Sequence, residues 1–303
     1  MEKTDVTDHG ADGFLSRMIV VASYPTILAL GFAFYTAFTS GGLPVSLASY
    51  VSVAICAALI TLHEIKLPFR TAWKPQRSEI HTDAVFMVTI QVALPYLLSI
   101  SVVVAVSEYL QSSGLTIQTI WPHDWPVLAQ ACLMLLAADF VRYWMHRAFH
   151  KVTPLWRFHA VHHSPHRLYW LNVGRFHPIE KAIQFAVDAA PFALLGVSPE
   201  VLAAYFVFYA INGFFQHSNC RVSLGPLNYL ISGPELHRWH HSKLPHESDT
   251  NFGNNLIVWD LLFGTRFLPK DREVGVLGLI NRDYPTGFLA QLKTPFVRGP
   301  ENG

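Results

Sequence analysis

Hydrophobic positions along this chain fall in long unbroken runs, without the alternation of a half-buried strand or the three-four spacing of a surface helix. Met18 to Phe38 carries no charge. A helix of that length, rising 1.5 Å per residue, matches a bilayer's hydrocarbon thickness of about 30 Å. After the tight break Thr39-Ser40-Gly41-Gly42, a second uncharged run extends from Leu43 to Leu62, and a third from Ala84 to Val106 with Pro95 as its expected kink. A fourth begins near Pro126, stays uncharged until Asp139 and reaches the Tyr143 region. Two further runs, Ala182 to Leu195 and Val201 to Phe215, hold 14 and 15 residues, too few to cross upright at roughly 20 residues per span. With Gly196 and Pro199 between them, they predict a re-entrant helical hairpin that enters and leaves by one face.

Lysine and arginine set the expected orientation. The loop after the second run carries Lys66, Arg70, Lys74 and Arg77, the loop from Ser107 to Trp125 carries neither residue type, and the chain is basic again after Arg142. The first loop and everything beyond the fourth span are therefore expected on the cytoplasmic side. The segment Met1 to Arg17 is acidic and has no small-residue cleavage site after the apolar run that follows it, so that run is expected to remain as an anchor. The predicted fold class is an all-α integral membrane protein: about four transmembrane helices, the hairpin, and a cytosolic histidine-rich metal-binding cap. Three regions are expected: transmembrane helices and loops over 1–125, a unit over 126–269 that holds the fourth span, the hairpin and most of the histidines, and a cytosolic tail over 270–303.

Composition sharpens this picture. Only 14% of residues are charged, 51% are hydrophobic and mean hydropathy is +0.28, whereas soluble domains carry about a quarter charged residues. A net charge of +1 with no aromatic-interleaved basic run argues against nucleic acid as a partner. Three isolated cysteines, Cys56, Cys132 and Cys220, make neither a disulfide framework nor a thiolate zinc site and are expected as buried fillers. Against this background stand 16 histidines, 12 of them between His146 and His246.

Those histidines form boxes. His146 and His150 make an HxxxH pair, one helical turn apart on one face. His159, His162 and His163 make HxxHH, and His237, His240 and His241 repeat it about 75 residues later. His177 and His217 stand singly between the boxes, while His166 and His246 are expected to be solvated or to support the ligands from behind, and His9, His63, His81 and His123 to be unrelated. Imidazole suits zinc, copper, iron and nickel. A structural zinc needs four ligands, but the boxes with His217 supply nine, enough for two ions. The lone His63-Glu64 pairing lacks the second histidine of HExxH, which sets a metalloprotease aside.

The run from Asp139 through His150, then Leu155 to Ser164, resembles the fatty acid hydroxylase/sterol desaturase superfamily of histidine-box membrane di-iron oxygenases. The last box, followed by Asp249-Thr250-Asn251-Phe252-Gly253, Trp259-Asp260 and Phe263-Gly264-Thr265, is similar to that family's final box and its sequel. The likeness covers about Leu128 to Pro269, with a weaker echo at Tyr284-Pro285 and Leu289 to Leu292, and the short gap from His150 to His159 favours this superfamily over the acyl-lipid desaturases.

The resemblance implies an O2-dependent non-heme monooxygenase or desaturase. Two irons would be held by His146, His150, His159, His162, His163, His217, His237, His240 and His241, with His177 a candidate tenth. Asp139, Glu180, Asp249 and Asp260 are candidates to orient the ligands through their outer ring nitrogens. O2 would be split and a C–H bond of a lipid (sterol, fatty acyl or ether lipid) hydroxylated or desaturated. Electrons would come from a separate donor, cytochrome b5-like, ferredoxin-like or another reductase chain, because no fused His-Pro-Gly-Gly heme motif is present. The boxes look closest to the alkylglycerol-cleaving and bacterial sterol-desaturase-like branch. The membrane would be the cytoplasmic one in a bacterium and the endoplasmic reticulum in a eukaryote. The competing expectation is a non-redox zinc site that fixes a lipid-binding scaffold.

Overall fold

The computed structural model describes residues 13–115 and 117–297, so His9, the start of the acidic N-terminal segment and the end of the tail lie outside the described residues. Those described are nearly all helical, with isolated bridges such as Pro68 to Cys220 and no strands among them. Among the described residues four helices are long and apolar enough to cross a membrane: α1 (Phe14–Ser40), α2 (Val45–Lys66), α3 (Arg77–Ser112) and α4 (Val127–Lys151). The chain is a multi-pass membrane protein. Shorter helices follow: α5 (Thr153–His163), α6 (Pro178–Asp188), α7 (Ala190–Leu194), α8 (Pro199–His217), α9 (Pro234–His240), α10 (Pro245–Ser248), α11 (Val258–Phe263) and α12 (Phe288–Lys293).

Each span is longer than its uncharged run. In α3, 36 residues make a helix of about 54 Å, well beyond the hydrocarbon layer. Its first turns are polar and join the cap, where Asp83 pairs with Arg175 and accepts a hydrogen bond from the Tyr169 hydroxyl. Pro95 does not end the element. Wide π turns over Met87–Ala93 and Ser99–Val103 flank it, which absorbs the missing N–H without a break.

One predicted run is divided and one expectation needs correction. The run Ala182 to Leu195 splits at Ala189 between α6 and α7, because Pro191 can neither donate to the preceding turn nor leave room for it. The turn to α8 then uses Gly196 at φ 71, a left-handed conformation that favours glycine. The cysteines also divide: Cys56 and Cys220 are buried, but Cys132 is exposed. It stands on α4 in line with exposed Leu128 and Leu136, a face a membrane protein can turn to lipid, since lipid tails are as apolar as its own core.

The central post is α8, which packs against α1, α2, α4, α9 and the turn Trp170–Gly174. Its Val207, Ile211 and Phe215 meet Tyr24 and Ile27 of α1 and Val53, Cys56 and Ile60 of α2 in one buried cluster. Within it the Tyr24 hydroxyl donates to Asn212 Oδ1 at 2.8 Å, so the one polar pair is satisfied. Contact is close enough to need glycine at position 31. A Cβ there would lie 2.3 Å from Ile211 Cδ1 and 3.3 Å from Cys56 Sγ. Gly31→Val is therefore expected to destabilise the bundle by about 1–3 kcal/mol through overpacking, read as a lower melting temperature in detergent, while a melting temperature at or above wild type would contradict this packing.

Candidate metal centre

Helical spacing and one sharp turn assemble the histidines. His146 and His150 project from the last turns of α4, and Val152 alone separates that helix from α5, which folds back with His159, His162 and His163. His217 ends α8, and His237 and His240 stand on α9 with His241 directly after it. The side chains converge in two groups whose nitrogens lie within 4.8 Å of one another: His146, His150, His159, His163 and His240, and His162, His217, His237 and His241. The groups adjoin, with the His163 and His241 rings stacked at 4.4 Å.

The outward nitrogens are held by acceptors. His146 Nδ1 donates to the Phe252 carbonyl at 2.8 Å, His240 Nδ1 to the Thr250 carbonyl at 2.8 Å and His162 Nδ1 to the Arg175 carbonyl at 3.3 Å. His159 Nδ1 donates to Glu180 at 2.7 Å and His150 Nδ1 to Asp249 at 3.1 Å. His217 Nδ1 donates at 2.8 Å to Asn172 Oδ1, whose amide is oriented by its own bond to the Arg167 carbonyl. An acceptor on Nδ1 places the proton there and leaves a lone pair on Nε2. His146 and His159 thus turn two Nε2 lone pairs on each other across 3.0 Å. That contact is repulsive unless a cation lies between, and His150 Nε2 and His240 Nε2 are buried beside it without a partner. The donor set fits metal ions.

Electrostatics agree. Burial, then the neighbouring imidazoles, pushes His162, His163, His237 and His241 far below the usual histidine range, and burial pushes His240 down to about 3. These rings are neutral at physiological pH, the form that coordinates metal.

The four candidate carboxylates divide by role. Glu180 and Asp249 each hold a histidine, as above. Asp139 touches none: it accepts from Asn255 N at 2.8 Å, Asn255 Nδ2 at 2.9 Å and Leu256 N at 2.5 Å. Asp260 acts one step away, accepting from Phe252 N at 2.7 Å, Gly253 N at 2.7 Å and Thr265 Oγ1 at 2.6 Å. Both pin the loop whose Phe252 carbonyl holds His146. His177 stays outside the two groups, its Nδ1 capping α6 through Ile179 N and its Nε2 donating to the Leu292 carbonyl. His246 and His166 are both solvent-exposed, as expected. Asn172 and the three carbonyl acceptors escape sequence reasoning, because main-chain acceptors have no residue signature and an asparagine in a turn is common.

One cavity reaches both groups. It measures about 130 Å³, touches His146, His159, His162, His217 and His237, and runs past Glu180 and Gln184 to Tyr50 and Val92. Those last two residues are exposed on the flanks of α2 and α3, so its outer end faces the membrane region.

Comparison with known proteins agrees with this architecture. The family described as fatty acid hydroxylase matches residues 131–265. An ornithine lipid hydroxylase, OlsE of Rhizobium tropici, is 36% identical over 246 residues, which cover 80% of this chain and 73% of that protein. The chain belongs to the fatty acid hydroxylase family. The alkylglycerol monooxygenase of Danio rerio is 32% identical over 207 residues, 68% of this chain and 44% of that protein, so the match spans less than half of that longer relative. A very-long-chain aldehyde decarbonylase, GL1-8 of Oryza sativa subsp. japonica, is 33% identical over 147 residues, 48% of this chain and 54% of its own length. No solved structure matches.

Two outcomes follow from the site's geometry. Asn172→Ala removes the acceptor that orients His217 and should weaken metal binding by the four-histidine group about 10–100-fold, leaving the five-histidine group loaded. Titration against a competing chelator reads this as one weakened equivalent, and two unchanged equivalents would refute the role. In metal-free protein, the buried rings resist protons that the unfolded chain takes up near pH 6.5. Their stability contribution is therefore complete above about pH 6.5 and is lost as pH falls toward about 3, the value to which His240 is pushed. A melting temperature of the metal-free protein that does not fall between neutral pH and pH 5 would contradict it.

Proposed function

We propose that this chain is a membrane oxidoreductase that uses two irons, O2 and an external electron donor to hydroxylate a lipid. The observation that carries the reading is the set of nine imidazoles whose nitrogens converge in two adjoining groups, six of them with the Nε2 lone pair turned inward, at the inner end of a cavity that opens among membrane-spanning helices. An all-imidazole set with no thiolate suits iron, and nine ligands serve two ions. The relatives named as an ornithine lipid hydroxylase and an alkylglycerol monooxygenase support lipid oxidation by O2 over a purely structural zinc site.

Bound by these groups, a redox-active metal pair supplies the activation of O2 that an unreactive C–H bond requires. The protein's own residues do the rest. Glu180, Asp249, Asn172 and the carbonyls of Arg175, Thr250 and Phe252 hold the ring protons on Nδ1 and keep each Nε2 aimed inward. Asp139 and Asp260 hold the loop that carries Phe252 and so keep His146 in place. The apolar walls, Val53, Phe176, Phe206 and Phe214 among them, exclude water and admit a lipid from the side.

We take residues 126–269 as the catalytic unit and the histidine cap as cytoplasmic. The support for that side is Lys66, Arg70, Lys74 and Arg77 after α2, against no lysine or arginine in the described part of the loop between α3 and α4. The hairpin of α6, α7 and α8 then dips into the bilayer from the cap side. Electrons arrive from a separate protein on that same face.

Purified protein is expected to contain near two irons per chain, and cells carrying the gene to place label from isotopic O2 into one lipid class. His162→Ala should lower bound iron and abolish product while the protein still accumulates in the membrane. Stoichiometric zinc, with no O2 consumed under a reductant, would overturn the proposal.

A further inference from the structure

The cavity is not lined as a path for hydrocarbon alone would be. Glu180 and Gln184 stand one turn apart on α6, each 1% exposed, and both face it. Glu180 Oε1 accepts from His159 Nδ1 at 2.7 Å and from Gln184 Nε2 at 2.9 Å. The second bond sets the direction of the amide, so Gln184 is left with its carbonyl Oε1 and Glu180 with its Oε2. Neither atom has a hydrogen-bond partner. Gln91 of α3 borders the same cavity, and its Oε1 is buried and unpartnered as well.

A buried acceptor without a donor is left with an uncompensated desolvation penalty, which is larger for a carboxylate oxygen. Three of them around one cavity leave a standing demand for hydrogen-bond donors. The nearby cations are engaged elsewhere. Arg142 NH1 donates to Asp188 Oδ2 at 2.8 Å, and Lys181 Nζ lies 3.4 Å from the Tyr209 hydroxyl and over the Phe176 ring. Size adds a second constraint. At about 130 Å³ the cavity is comparable to an engineered cavity of ~150 Å³ that admits one benzene, so a headgroup-sized fragment fits and a whole lipid does not.

We propose that the lipid enters head first: its polar end carries hydroxyl or ammonium donors that bond to Gln184 Oε1, Glu180 Oε2 and Gln91 Oε1, while its tail leaves past Tyr50 and Val92. The oxidised C–H bond then lies in or next to the headgroup, not midway along an acyl chain. Gln184 and Gln91 are positioning residues that select the substrate. This rests on the lipid-oxidising reading above and names its substrate class.

The test measures binding to metal-free protein in detergent, so it does not depend on turnover. Three probes share one hexadecyl tail: 1-O-hexadecylglycerol with two hydroxyl donors, its di-O-methyl ether with none, and hexadecylamine. At least one donor-bearing probe is expected to bind about tenfold more tightly than the dimethyl ether, the effect of one or two hydrogen bonds. Gln184→Met and Gln91→Leu are each expected to shrink that ratio toward unity while binding of the ether persists. Loss of the ratio with the tail still bound is a signature that mere loosening of the fold would not produce, and if one variant fails to fold the other carries the test. A glycerol preference identifies a hydroxylated head and an amine preference an ammonium head. Equal binding of all three probes by the wild type, or a full preference in both variants, overturns the proposal. Iron content and label from O2 report separately on the oxidative function, so failure of one reading is distinguishable from failure of the other.

Discussion

Two imidazole lone pairs facing each other across 3.0 Å, on His146 and His159, are the contact around which the cap is organised. Without a cation this arrangement is unfavourable, and the fold sustains it only by fixing the opposite edge of each ring. Six of the nine histidines have an acceptor on Nδ1, and these acceptors come from four separate places in the chain: Glu180, Asp249 with the Thr250 and Phe252 carbonyls, Asn172, and the Arg175 carbonyl. The metal centre is thus prepared from outside inward. Its geometry is determined by what holds the rings' backs as much as by the rings themselves.

That requirement explains polar groups that would otherwise be costly. Asp139 is fully buried in a helix that crosses the membrane, a place where a carboxylate is expensive. It offsets this by gathering three N–H donors of the loop at Asn255 and Leu256. Asp260 does the same at Phe252 and Gly253, where a Cβ on Gly253 would lie 2.1 Å from the Leu256 carbonyl. Together they draw the chain after the third box tightly against α4. The Phe252 carbonyl then meets His146. Carboxylates that bind no histidine are still part of the metal centre's support.

Membrane and cap meet along α8. Its apolar stretch packs into α1 and α2, and its last residue, His217, enters the four-histidine group. One helix therefore transmits the packing of the spans to the position of a ligand. The cavity follows the same route, lined by apolar side chains of the spans and by the unpartnered acceptors of Gln91, Glu180 and Gln184.

Much of this was legible in the residue order, because two signals are local. Uncharged runs of about 20 residues need only the bilayer's thickness to be read as spans, and HxxxH or HxxHH needs only helical periodicity to put its imidazoles on one face. Residue order therefore determined the four spans, the three boxes and the family. It could not divide the nine histidines into groups of five and four, since that division depends on how α4, α5, α8 and α9 meet in space. Nor could it separate Glu180 and Asp249, which touch rings, from Asp139 and Asp260, which touch backbone: seven residues between Asp139 and His146 place both near one helical face, and only the loop arriving at 252–256 decides what each meets. Cys132 follows the same logic, since composition marks it as apolar but only the bundle decides that its face looks outward. Local periodicity supplied the ligands, and long-range packing supplied their grouping, their orientation and the cavity that reaches them.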